Sequence, residues 1–253
     1  MPMPYKTRNL LRFICKTVSG LHFSYSEGQY FGEFMVTFAN ILSHLNMKKL
    51  FITLLILGGI YSAASAQAPN TAEFGVNVGL NTSTVQYSGT GENADYKAGV
   101  NFGISGEYYF SNRWGIKAKV IYDQKGWGNG FLVLDDGTEI DGVNYHLNYI
   151  TVPVMANWHF GRKRNWYLDF GPYVGFLASA NESSNSADVK PLFNSTDVGI
   201  AFGIGVKVPV SNTASVFFEY DGQGGLNNVF ANSDGTFQNI RSSFNVGLVF
   251  PIR

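Results

Sequence analysis

The chain has 253 residues, of which 14% are charged and 15% aromatic, with 29 Gly and a formal net charge of zero. An average soluble domain carries roughly 25% charged residues, so this composition points to a β protein with an unusual exterior, and a neutral chain exerts no long-range pull on nucleic acid. The one cysteine, Cys15, excludes a disulfide framework, a zinc knuckle and a thiol nucleophile in the rest of the chain.

Residues 1–46 show no sustained periodicity. Residues 47–66 have the form of a secretory signal peptide. Lys48 and Lys49 supply a positive start, Leu50 to Ile60 an apolar stretch, and Ala64-Ser65-Ala66 a small-residue cleavage site. The stretch is short for a spanning helix, which needs about 20 residues. Cleavage after Ala66 makes Gln67 the first mature residue. Because a signal peptide begins at the initiator methionine, the sequence predicts translation from Met47 and an over-extended N-terminus, disordered or not translated, over 1–46. A genuine cytoplasmic or targeting extension is the alternative. Beyond residue 66 there are 12 basic and 16 acidic residues, so the predicted mature chain, 67–253, is mildly acidic.

From residue 73 onward a period of two replaces any helical period, in eight runs of about 9–13 residues. In chain order the apolar faces start with Phe74/Val76/Val78/Leu80, Val100/Phe102/Ile104/Tyr108/Phe110 and Trp114/Ile116/Ala118/Val120/Tyr122. Ile150/Val152/Val154/Ala156/Trp158/Phe160 and Leu168/Phe170/Val174/Phe176 follow. The last three are Val198 to Val208 at even positions, Val216/Phe218/Tyr220 and Phe244/Val246/Leu248/Phe250/Ile252. The odd-numbered faces carry Gly, Asn and charge.

Alternation alone does not say which face is inside. A soluble sandwich or lipocalin-like barrel buries the apolar face, whereas a membrane barrel turns it to lipid. Three features favour the second. Eleven glycines, from Gly75 to Gly247, share the polar parity, which suits the cramped interior of a small barrel. Tyr108, Phe110, Trp114, Trp158, Phe160 and Trp166 share the apolar parity beside short turns, as an aromatic girdle at one membrane interface does. Connections alternate between short (Ser111-Asn112, 161–165, 209–213) and long and polar (near 82–97, 125–144, 179–196 and 222–239). The prediction is an all-β, eight-stranded antiparallel up-and-down transmembrane β-barrel over 67–253. Both termini would be periplasmic, with four long loops outside. Closure leaves no unpaired edge in lipid. Pro153 and Pro172 fall inside strands, where local bulges are expected.

Asn148-Tyr149-Ile150-Thr151-Val152-Pro153-Val154, Phe170-Gly171-Pro172-Tyr173-Val174-Gly175 and the Gly-rich Val198 to Gly205 are similar to patterns of the PorT-like outer-membrane β-barrel family. The resemblance spans roughly 72–253 and implies a small barrel of the OmpA/OmpX type. The family's namesake is tied to protein export, a role that fold alone does not transfer. The chain departs from the common aromatic ending by closing on Pro251-Ile252-Arg253.

Lys117, Lys119 and Lys207 share the inward parity with Glu107, Asp123, Asp169, Glu219 and Asp221. The interior of an eight-stranded barrel holds side chains rather than a channel, so these groups are expected to plug the lumen as an ion-pair network. A narrow ion path is the alternative. His146 lies near the outer rim, where some small barrels carry a His-Ser-acid lipid-modifying site, but its parity points to lipid and no Ser is fixed beside it. The acids of 135–141 lack the spacing of a calcium loop. No cofactor, metal or catalytic residue is predicted. The expected function is a non-enzymatic structural, adhesion, envelope-assembly or secretion-related barrel in a Gram-negative outer membrane. Its partners would be outer-membrane lipid, the barrel-assembly machinery and an extracellular or envelope protein, with no nucleic acid. A small porin-like pore and a rim-acting lipid-modifying enzyme are the alternatives.

Overall fold

A computed structural model describes residues 69–91, 93–133, 139–183, 188–232 and 235–252. The predicted signal segment with Ala64, Ala66 and Gln67, and residues 1–46, lie outside the described residues. The rest forms eight antiparallel strands: β1 Thr71–Tyr87, β2 Lys97–Tyr109, β3 Trp114–Val133, β4 Glu139–Phe160, β5 Trp166–Glu182, β6 Thr196–Ser211, β7 Ala214–Gly225 and β8 Phe237–Ile252. Each pairs with its neighbours in sequence, and β1 pairs with β8 to close the barrel. Val76, for example, sits opposite Ile104 of β2 and Leu248 of β8. Three residues of the same parity therefore lie side by side on the outer face.

That outer face is apolar because it is the even-numbered one. Phe102, Ile116, Ile200 and Phe244 are all exposed, while their odd neighbours are buried. An exposed apolar surface of this extent needs a covering, and around the outside of a closed barrel it is the surface that outer-membrane barrels turn to lipid. On β4 it runs from Ile150 to Phe160. Ten steps at ~3.3 Å, tilted by ~40°, give a band about 25 Å tall, which matches an outer-membrane barrel.

The strands are longer than the hydrophobic pattern indicates. β3 has 20 residues and β4 has 22, so much of 125–144 is hairpin rather than loop. The other long connections shrink likewise, because β1, β5 and β8 continue beyond the band. At the other end the connections are as short as expected, at Phe110–Arg113, Gly161–Asn165 and Asn212–Thr213.

Neither proline makes a bulge. The β4–β5 pairing stops at Pro153↔Tyr173 and resumes at Ala156↔Phe170 in the same register. The missing N–H opens a gap in the ladder, but no residue is inserted. The one register shift of this pair lies higher, where Tyr149 pairs with Leu177 but Asn148 with Ser179. The extra residue reverses the parity of β5, so Ala180 and Glu182 turn inward. A second irregularity is at Gly126, whose φ of +136° and contact with the Tyr145 carbonyl admit only glycine. It precedes register shifts between Trp127 and Phe131.

Candidate functional site

The lumen is filled, layer upon layer, by side chains from the odd positions. At the short-turn end Lys207 Nζ donates to Glu107 Oε2 (2.8 Å), Glu73 Oε2 (2.6 Å) and the Tyr109 hydroxyl (2.7 Å). His159 bridges Glu107 Oε1 (2.9 Å) and the Arg164 carbonyl (3.0 Å) through its two ring nitrogens. Next, Lys117 donates to Asp169 (2.8 Å) and Glu219 (2.9 Å), Lys119 reaches Glu219, and the Tyr167 hydroxyl also donates to Glu219 (2.9 Å). Asn157 completes Asp169 at 2.6 Å. Higher still, Arg241 holds Asp123 (Nε, 3.1 Å) and Asp221, with Asn81 on Asp123 and Asn245 on Asp221. At the top Lys125 donates to Asp197 (2.9 Å) between the Tyr149 and Tyr173 rings.

Buried charges persist only when paired, since an unpaired one costs several kcal/mol. Each lysine or arginine above has at least one carboxylate within 3.1 Å. All eight inward charges expected from the sequence are buried and belong to these clusters. Glu73, Lys125, His159, Asp197 and Arg241 join them without having been foreseen in that role. Asp123 takes Arg241 rather than a lysine. The glycines make room. A Cβ at Gly205 would strike the ring of its cross-strand neighbour Tyr167.

Above the polar layers sits an apolar plug that the sequence pattern does not announce. Trp127 stacks on Tyr145 (4.9 Å between centroids) and meets Phe193 and Phe230 edge-on, each at 5.8 Å. Leu147, Tyr149, Val85 and Phe237 surround them. Phe193 and Phe230 come from the connections after β5 and β7, which are bound to each other. Their backbones form a bridge there, and Ala231 N–H donates to the Leu192 carbonyl at 3.0 Å. Two small spaces of about 10 Å³ lie among the lumen side chains, one beside Lys117 and Lys207 and one beside Lys119 and Met155, each with room for about one water. An open mouth of about 230 Å³ lies at the short-turn end beside Glu73, Lys207 and Ser215.

On the outer face, Trp114, Trp158, Phe160 and Trp166 form a continuous row, with centroids 6.2, 5.2 and 6.4 Å apart. Tyr108 and Phe110 are exposed beside it. His146 lies beyond the apolar band. It is exposed, opposite Gly126 and Asn181, and partial burial and then Lys97 hold its pKa below the ordinary histidine value. No serine–acid pair is hydrogen-bonded to it among the described residues, and these contain no cluster of three His, Cys, Asp or Glu able to hold a metal.

A closed antiparallel barrel of eight strands, apolar outside and charged inside, is the class of the small outer-membrane β-barrels. The chain belongs to the outer membrane protein beta-barrel domain family, whose profile matches residues 63–231. Three solved structures of small barrels are similar to it. The attachment invasion locus protein Ail of Yersinia pestis is 16% identical, over 71% of this chain and 99% of that one, with a TM-score of 0.39. Neisserial surface protein A is 14% identical over 70% and 96%, at 0.43. OprG from Pseudomonas aeruginosa is 12% identical over 75% and 100%, at 0.44. No curated protein matches the sequence.

Proposed function

We propose that this outer-membrane barrel is non-enzymatic and non-conducting, and acts through its long-loop end in adhesion or envelope assembly, with an envelope or extracellular protein as partner. The observation that carries the reading is the lumen, filled by four charged layers and an aromatic plug, with two spaces of about 10 Å³ among the charged side chains. The short turns and both chain termini face the periplasm in this reading, and the aromatic row marks that interface. The PorT-like resemblance of the β4, β5 and β6 segments fits the same picture. A rim-acting lipid enzyme lacks support, since among the described residues no nucleophile or acid is hydrogen-bonded to His146. Planar-bilayer recording on the purified barrel tests the proposal. The expected result is no discrete steps. Large, stable single-channel openings would overturn it in favour of a pore.

A further inference from the structure

Among the described residues, the exposed charges of this barrel are sorted by end. The three short turns carry Arg113, Arg162, Lys163 and Arg164 and no carboxylate. At the opposite end Asp95, Asp141 and Asp188 are exposed. The basic groups are also concentrated around the circumference, on two adjacent turns, β2–β3 and β4–β5. These turns are tied together where Arg164 Nη1 donates to the Asn112 carbonyl at 3.0 Å and His159 N–H to the Arg113 carbonyl at 2.7 Å. Gly161, with φ of +82°, and Arg164, with φ of +56°, hold the β4–β5 turn in its tight form. Arg164 thus acts as a staple, while Arg113, Arg162 and Lys163 are exposed.

Immediately below these three cations, on the lipid-facing parity, runs the row Trp114–Trp158–Phe160–Trp166. Aromatic rings of this kind settle at headgroup depth, which sets the cations at the level of lipid phosphates. A guanidinium matches a phosphate bidentately, and a lysine ammonium adds a point charge. No carboxylate on the turns competes for them.

We infer that the β2–β3 and β4–β5 turns form a docking site for the headgroup of an anionic glycerophospholipid, with Arg113, Arg162 and Lys163 binding the phosphate and the aromatic row seating the acyl region. The site selects net negative charge, because a zwitterionic headgroup returns a cation to the same cluster. Each basic side chain near an anionic surface strengthens attraction about fivefold. Partial screening and the phosphate of competing zwitterionic lipid leave an expected preference of about tenfold.

The test is lipid retention by the folded full barrel, purified from equimolar phosphatidylcholine–phosphatidylglycerol bicelles and read by native mass spectrometry. Phosphatidylglycerol should be enriched about tenfold among retained lipids. The triple variant R113Q/R162Q/K163Q should fall below about twofold while keeping its heat-modifiable gel shift. K97Q/K190Q, at the other end, should keep the full enrichment. Raising the salt to about 1 M, where the screening length is about 3 Å, should abolish the preference in the native chain without any substitution. Absence of enrichment in the native chain, or its persistence in the triple variant, would overturn the site. So would equal retention of lipid A added in place of phosphatidylglycerol, since the site would then be a general phosphate cluster. The readout is independent of conductance and of the barrel's orientation, so it fails separately from the proposed function.

Discussion

Glu219 is the position at which the filled-lumen reading is most exposed to experiment. It lies at the barrel centre, 1% accessible, and accepts from Lys117, Lys119 and Tyr167 at once. Glu219→Ala leaves Lys117 with Asp169 at 2.8 Å, but leaves Lys119 with only Asp221, 3.7 Å away. Removing one partner of a buried pair costs about 3–5 kcal/mol, most of it the penalty of the charge left behind. The cost should therefore disappear largely when that charge goes too. Glu219→Met combined with Lys119→Met should recover all but about 1–2 kcal/mol, because well-packed apolar replacements of ion pairs are near neutral. Equilibrium urea unfolding in lipid vesicles, followed by tryptophan fluorescence and gel mobility, measures both variants. A loss below about 1 kcal/mol for Glu219→Ala would mean that water already solvates Lys119. The lumen would then be hydrated rather than packed, and the non-conducting reading would fall with it.

Two further outcomes follow from the same geometry. Trp127→Ala removes the centre of the aromatic plug and should cost about 3–5 kcal/mol at the long-loop end. Limited proteolysis there should accelerate, while the gel shift persists and planar bilayers stay silent because the charged layers still fill the barrel below. In a Cys15→Ser background, single cysteines at exposed Asp141 and Asn212 report orientation. A membrane-impermeant maleimide should label Asp141→Cys on intact cells but Asn212→Cys only after the outer membrane is opened, and the reverse pattern would invert the proposed topology.

The barrel and its two faces were legible because lipid outside and charge inside give the greatest contrast a period of two can carry. Where that contrast ends, so did the reading. Outward positions turn polar just beyond the band, at Thr82, Gln124, Thr196 and Ser242, and the strands looked as if they stopped there. The inward parity nevertheless continues, which is why Lys125, Asp197 and Arg241 went unassigned although each lies within two residues of an apparent strand end. Glu73 was missed in the same way at the other end. The aromatic plug was illegible for a different reason. Trp127 lies on the correct parity, but Phe193 and Phe230 reach it from connections with no period at all, and only the closed fold brings them together. Parity also could not foresee the extra residue in β5, because a single insertion leaves no trace in composition.

The ion pairs themselves say why a barrel this small should keep so many charges. Backbone hydrogen bonds already join each strand to its neighbours, so a side-chain pair between adjacent strands adds little that the sheet lacks. Most of the pairs here skip neighbours. Lys117 of β3 reaches β5 and β7, Lys207 of β6 reaches β2, Arg241 of β8 reaches β3, and Lys125 of β3 reaches β6. They span the lumen and fix its cross-section, which backbone pairing alone leaves free to flatten. β3, which contributes three of the lysines, is the hub of this bracing. Bracing of this kind packs the lumen with side chains, and among the described residues the exposed charges lie at the two ends, acidic at one and basic at the other.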